Sequence, residues 1–580
     1  MADSPSSKSN SLIIHHTKKG GWHAAIYIIF VEFAERFAYQ GLASNLITYL
    51  TNVLNEPITT AAKNVNTWVG VSSLFPLLGG FIADSCLGRF RTILLSSLIY
   101  LLDCDIIFNT IQGMIFLTLS VSVVKHTTLF FLALYVLSIG DGGHKPCVQT
   151  FAADQFDEDT PEEKEAKSSF FNWWYLGIVA GSAAAVFVVI YLQDNVGWGV
   201  GLGVLVGVLA IALALFLLGI NRYRKESPQG SPFTRMAQVF VAAARKWRVK
   251  DKSGHTDYYY GVDEEEHNQL HDHQLKFHAL QHTQQCSFLD KAMIIDEVDA
   301  TSKTRNPWRL CSVTQVEEVK LVLRLIPIWL SCLMFCVVQS QVHTYFTKQG
   351  STLVRSIGPH FQIPPASLQG FVGVFILLAV PIYDRIFVPL ARKFTGHPAG
   401  ITVLQRIGVG LALSILTMVV SALVETKRIG VARDHGLIDD PKAVIPMSVW
   451  WMLPQYMITG VSDAFAIVGL QELFYDQMPD AMRSLGAAAY ISILGAGSFA
   501  SNIVIAIVED ISSRSGEKWL GNNINRAHLD YYYWVLAGLS VGSLCVYLLI
   551  AKSYVYKKVD EAERSSNNQG FRFSKYRPRV

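Results

Sequence analysis

Three ionisable residues interrupt an apolar run from about Ala24 to Leu50: Glu32, Glu35 and Arg36, within "FVEFAERFAYQG". Their spacing of i, i+3 and i+4 puts them on one face of a helix. A lone charge at the centre of a bilayer costs at least about 3 kcal/mol, so such residues face a cavity and pair. Two acids beside one arginine can handle a proton: burial favours the protonated carboxyl, and a nearby cation expels the proton. Moving that cation during a conformational change loads or releases a proton. The bland alternative is a structural ion pair that ties this helix to a neighbour.

The same chemistry recurs further on. "SIGDGGHKPCVQTF" holds Asp141, His144 and Lys145 among glycines. Lys145 needs an acid, and Glu32 or Glu35 is the expected partner. "TGVSDAFAIVGLQELF" holds Asp463 in mid-run and Glu472 near the end. Asp463 is expected to pair with Lys145 in one access state and to leave it in the other. "WLSCLMFCVVQSQVHTYF" offers Gln339, Gln341 and His343. His343 either titrates near neutral pH or is a satisfied polar group near the outer end of its run. "GFIADSCLGRFR" spaces Gly80, Asp84, Gly88 and Arg89 for a tight turn, with Asp84 placed to cap or to pair with basic residues.

These residues need helices to hold them. The chain has 580 residues, of which 51% are hydrophobic and 16% charged. A soluble chain carries about a quarter charged residues. Apolar runs long enough to cross a bilayer fall at about 24–50, 67–84, 92–124, 128–151, 169–192, 197–220, 317–347, 366–391, 401–425, 447–474, 484–509 and 530–556. The expected fold is therefore an all-α membrane protein of twelve transmembrane helices. A barrel would need strands of about ten residues with alternating polarity. Five segments follow: a tail (1–23), a first six-helix half (24–220), a hydrophilic linker (221–316), a second six-helix half (317–556) and a basic tail (557–580). Lys18, Lys19, Arg89, Arg91, Arg392, Lys393, Lys557 and Lys558 fall on one side, which is assigned to the cytosol with both termini. Lys427, Arg428 and Arg433 are exceptions, expected in the loop between spans nine and ten.

Two segments stand apart. The third run is too long for one crossing. Without "DCDIIFNTIQ" (Asp103–Gln112) it is one bilayer long, so this segment reads as an insertion or as a polar kink. In the linker, "FTRMAQVFVAAARKWRVK" forms a basic amphipathic helix suited to a membrane surface. His267/His271 and His278/His282 have metal-like i, i+4 spacing, but a polar linker is the preferred reading and no metal is expected. The eight cysteines are scattered without zinc-like spacing. No cofactor is expected, and a net charge of +3 gives no sign of nucleic acid.

Together these motifs resemble two related groups. G-x-x-x-D-x-x-x-G-R at Gly80, Asp84, Gly88 and Arg89 is similar to the loop signature of the major facilitator superfamily. E-x-x-E-R-F at Glu32–Phe37, "GGHKPCVQTFAADQFDE", "FFNWWY", "NPWRLCSVTQVEEVK", "FQIPPASLQGFVGVFILLAVPIYDR" and "VLQRIGVG" resemble the proton-coupled oligopeptide transporter family, in its plant nitrate/peptide branch. The resemblance implies two six-helix bundles that rock about a midplane site and couple proton flow to solute movement. It implies proton coupling at Glu32, Glu35, Arg36 and Lys145. Substrate contacts are expected at Arg36, Tyr39, Lys145, Gln339, His343 and Asp463, with an intracellular gate at Gly80, Asp84, Gly88 and Arg89.

Departures bear on the solute. Peptide carriers often have two tyrosines where this chain has Tyr39 and Gln40, and a glutamate where it has Asp463. Some nitrate carriers use a histidine where Gln339 stands. A small anion such as nitrate is the favoured solute. The alternatives are a di- or tripeptide, or a hormone or specialised metabolite. A solute sensor signalling through the linker is the reading from another class; no reactive set supports an enzyme. The partners expected are protons, the solute and the lipid bilayer of a plasma or vacuolar membrane.

Overall fold

The structure is a computed structural model. It describes residues 19–101, 117–118, 127–156, 161–225, 232–248, 259, 282–296, 298–299, 306–359, 361–395, 400–478, 483–514 and 518–556. Almost every element is a helix. The first half contains α1 (Trp22–Ala43), α2 (Leu46–Asn52), α3 (Ile58–Ile82), α4 (Arg89–Leu101), α5 (Thr127–Ala153), α6 (Pro161–Ala184), α7 (Ile190–Asn195) and α8 (Trp198–Leu218). In the linker lies α9 (Pro232–Arg245). The second half contains α10 (Val313–Ser331), α11 (Leu333–His343), α12 (Tyr345–Ser351), α13 (Gly370–Ile382), α14 (Val388–Thr395), α15 (Val403–Asp434), α16 (Leu453–Gln477), α17 (Arg483–Arg514) and α18 (Leu529–Ser553).

Among the described residues, eight helices are long and apolar enough to cross a membrane, or nine if α10 and the α11–α12 stretch form one span bent by 51°. The chain is an integral membrane protein. Two helices outside that set, α1 and α5, are of membrane length, at 22 and 27 residues. They carry the charges of Glu32, Glu35, Arg36, Asp141 and Lys145, which is why their hydropathy falls short. α4 starts the third run, and the 103–112 segment lies outside the described residues.

Within the first half, α3 packs on α5, α5 on α4, and α1 on α6 and α8. The α3–α5 crossing is backbone-close: a methyl at Gly79 would sit 2.1 Å from the Gly142 carbonyl oxygen. In the second half, α15 packs on α16 and α18, and α13 on α16. The two halves meet mainly through α3 and α17.

Among the described residues, several hydrogen bonds join the halves at the ends remote from the termini, the outer side of the sequence-based orientation. Lys63 Nζ reaches Glu509 Oε2 at 2.7 Å, and Asn66 Nδ2 reaches Asn502 Oδ1 at 3.1 Å. Lys348 Nζ donates to Thr51 Oγ1 at 2.8 Å and Asn52 Oδ1 at 3.3 Å, and Gln369 Nε2 donates to the Ser44 carbonyl at 2.9 Å.

Two expectations are corrected. The amphipathic linker helix gives part of its apolar face to protein, while Phe233 and Phe240 stay exposed. Val239, Ala242 and Ala243 of α9 are buried against Leu289, Met293, Val313 and Val316, a cluster formed with the start of α10. Phe233 packs edge-on against Phe81 at the inner end of α3, with ring centroids 5.4 Å apart. Arg309 clasps Asp296 and Asp299 in the same module. Burial works against the Asp296 charge, but the Asp299 amide, Lys246 and Arg309 hold its carboxyl below the usual range. The second correction concerns α15, which runs on to Asp434. Lys427, Arg428 and Arg433 are thus helical rather than in a loop. Arg428 is fully buried, bonded to both Glu425 oxygens (2.6 and 2.8 Å), Asn525 Oδ1 (2.7 Å) and the Ile524 carbonyl (2.7 Å). A neutralised, buried arginine carries no topological signal, which removes Arg428 from the exceptions to the charge bias, whereas Lys427 and Arg433 stay exposed.

Candidate functional site

The helical spacing of Glu32, Glu35 and Arg36 holds in α1, and the three side chains meet. Arg36 Nε lies 2.8 Å from Glu32 Oε1 and 3.3 Å from Glu35 Oε2. Both glutamates are buried, whereas the Arg36 side chain keeps 27% of its surface. A partly exposed cation at this depth needs a polar surrounding rather than lipid.

Lys145 does not take the partner expected of it. Its Nζ pairs with Asp141 Oδ2 at 2.6 Å, one turn earlier on α5, and stands 3.8 Å above the Tyr39 ring. An i, i+4 acid is within reach without any movement of the halves, which is why it wins over Glu32, Glu35 and Asp463. The ammonium over the ring is a cation–π contact. Tyr39 stacks in turn on Trp68, 5.6 Å between centroids. A charged core of five groups therefore lies on two helices, α1 and α5, with Tyr39 packed against it.

The second half offers a smaller polar group. Asp463 of α16 is buried and accepts a hydrogen bond from Gln339 of α11. His343 Nδ1 lies 2.9 Å from Gln369 Oε1, at the outer end of its span. Glu472 is paired with Arg406 at 3.1 Å, and Arg406 in turn lies over the Tyr383 ring. So Gln339 and Asp463 come together, while His343 and Glu472 belong to separate local contacts.

The loop motif forms the inner corner of the first half. A π turn (Ala83–Leu87) ends at Gly88, whose φ of +77° only glycine adopts freely. Gly88 turns the chain so that Arg89 opens α4. Arg89 pairs with Asp84 at 3.6 Å and with Asp154, just past α5, at 2.5 Å. Gly80 faces Pro146 of α5 with ordinary clearance, since a methyl at Gly80 would lie 3.6 Å from the proline Cβ. Asp154 is the partner that the motif alone does not reveal.

One further cluster has metal-like spacing. His282, Asp290 and Glu317 converge, but Lys320 Nζ sits among them, 2.5 Å from Asp290 and 2.8 Å from Glu317. An ammonium already fills the place a cation would take. His267, His271 and His278 lie outside the described residues.

Residues 90–523 match the POT family (PTR2). The chain belongs to that family. It is 56% identical to the Arabidopsis thaliana "Protein NRT1/ PTR FAMILY 5.4" over 569 residues, covering 97% of this chain and 99% of that one. It is 48% identical to the Arabidopsis thaliana "Protein NRT1/ PTR FAMILY 5.10", covering 94% and 95%. Among solved structures, the POT family transporter PepTSo superposes with a TM-score of 0.67 at 21% identity, covering 92% of this chain and 98% of that one. An auto-inhibited POT family peptide transporter superposes with a TM-score of 0.65 at 19% identity, covering 93% and 98%. These likenesses establish the POT transporter fold. The charged core of α1 and α5 is thus a feature of a POT family transporter, and its neighbours are transporters rather than enzymes.

Proposed function

We propose that this chain is a proton-coupled symporter of twelve spans in two six-helix bundles, moving a small anion such as nitrate across a plant plasma or vacuolar membrane by alternating access. The observation that carries this reading is the charged core. Glu32, Glu35 and Arg36 share one face, the acids are buried, and the arginine alone of them keeps substantial exposure. While both acids are ionised they hold Arg36. A proton on either frees part of the guanidinium for an anion, so proton and anion bind together. The outer clasp of Lys63–Glu509 and Lys348 then opens and closes over this site.

Asp463 supports a second reading. A buried acid in the opposite half suits the ammonium of a di- or tripeptide whose carboxylate meets Arg36. Voltage-clamped oocytes separate the two. Nitrate or a dipeptide is applied at acid and neutral external pH, and inward current that grows at acid pH names the solute class. Glu35→Gln should abolish proton-driven uptake in a folded protein. Unchanged uptake would remove Glu35 from the mechanism. Binding without flux would favour a sensor acting through the linker.

A further inference from the structure

We propose that Asp141 is a third proton-handling carboxyl and shares one proton with Glu35. This rests on the proton-coupled reading and adds to it a residue that reading does not use. Asp141 is 1% exposed. Its Oδ2 takes the Lys145 ammonium, while its Oδ1 is buried and receives no hydrogen bond. Across the helix interface, both Glu35 oxygens are buried and receive none either. The two carboxyls stand within hydrogen-bonding reach of each other. Ionised carboxylates only accept, so two facing ones repel unless one carries a proton and donates it.

The charge balance points the same way. Three acids (Glu32, Glu35, Asp141) meet two cations (Arg36, Lys145). Fully ionised, the group carries −3 + 2 = −1, and one proton brings it to zero. Without Asp141 the remaining four groups would already be neutral and would have less need of a proton. The other groups around Asp141 do not alter this count. Tyr39 on α1 lies beneath Lys145, and Tyr100 on α4 is buried nearby. From α3 the near neighbour is Phe75, packed at Gly142; the titratable side chain of α3 is Lys63, at the outer clasp. The described carboxylates of α17, Glu509 and Asp510, also lie at its outer end.

A small cavity lies beside the pair. Its volume is about 20 Å³, and it is lined on one side by Glu35, His144, Tyr100 and Ser97 and on the other by aliphatic side chains of α1 and α8. That is room for one water. His144 Nδ1 is buried and has no partner. Water in this cavity would join Glu35 to His144, so that a proton leaves a hydronium or imidazolium as its O–H or N–H bond breaks and a carboxyl O–H bond forms. Release reverses the step and leaves the carboxylate.

Infrared spectroscopy of the purified protein in detergent tests this with H⁺ and D⁺ as the probes. At neutral pH the wild type should show a protonated-carboxyl C=O band that shifts in D₂O. Asp141→Asn and Glu35→Gln should each lose one carboxyl's share of that band. Asp141→Glu should retain it, which guards against an Asn variant that fails to fold. A full band in both Asp141→Asn and Glu35→Gln would overturn the proposal and leave Asp141 as the counterion of Lys145 only. In oocytes, the acid stimulation of nitrate or dipeptide current should fall to about onefold in Asp141→Asn, against a ceiling of roughly tenfold per pH unit for one proton in the wild type. A wild type with no acid stimulation would refute the symport reading itself, and the infrared bands would still decide the role of Asp141.

Discussion

The outer clasp gives a prediction whose size follows from geometry. Glu509→Gln removes the ion pair to Lys63 at 2.7 Å and leaves the amide able to bond Thr59, which Glu509 now meets at 3.3 Å. The pair is half open to solvent, with side chains 32% and 41% exposed. Exposed pairs contribute about 0.2–1 kcal/mol, so the ratio of outward-open to inward-open chains should rise by about 1.4- to 5-fold. Double electron–electron resonance between spin labels on the outer ends of α2 and α17 reads that ratio directly. The shift should shrink at high salt, because ions screen an exposed pair. Lys63→Gln should match Glu509→Gln, and the double variant should add little to either, since both remove the same contact. An unchanged distance distribution in Glu509→Gln, or a double variant that adds the two single effects in full, would refute the clasp.

The other predictions concern the framework around the site. Arg428→Met strands the buried Glu425 and should cost about 3–5 kcal/mol, while Glu425→Gln/Arg428→Met together should recover much of it; thermal unfolding in detergent reads both. Gly88→Ala must hold a φ of +77° and should cost about 1 kcal/mol, with a matching fall in transport because Arg89 loses its place between Asp84 and Asp154. Gly79→Ala should be worse, since its methyl meets the Gly142 carbonyl at 2.1 Å and must push α3 from α5; the check is surface expression and melting temperature. The depressed Asp296 carboxyl stabilises the linker module above the ordinary carboxylate range, and this stabilisation is lost only as pH falls through the lower folded value. Limited proteolysis of the linker should therefore stay constant from neutral pH down through mild acid.

Much of the architecture is legible in the residues alone, and the features that are not share a cause. Charges inside apolar runs are read from spacing, so the α1 face is plain. The pairing of Lys145 is also within reach of spacing, because Asp141 lies four residues before it. An expected bridge across the halves hides that nearer acid. Gln339–Asp463 depends on how α11 and α16 face each other, which no local pattern records. Arg428 misleads the topology because a charge-bias rule cannot tell a buried, bidentate arginine from one in water. The linker helix shows its apolar face in sequence, but amphipathicity says that a face needs cover and not whether lipid or protein provides it.

The same local charge balance constrains the order of events. With all five groups ionised, the core of α1 and α5 is net negative and disfavours an anion, even though Arg36 is partly accessible. Once a proton is bound the core is neutral, and the partly accessible guanidinium becomes the strongest feature an anion meets. Proton binding before anion binding therefore follows for a nitrate-like solute. A zwitterionic peptide escapes that order, because its ammonium can engage the unprotonated acids or Asp463 first. The two solute readings thus differ in kinetics as well as in identity. For an anion, raising proton concentration should lower the apparent KM. For a peptide it should act chiefly on the maximal rate. Current measured over a grid of external pH and solute concentration separates these patterns, and a pH-independent KM for nitrate would refute the proton-first order.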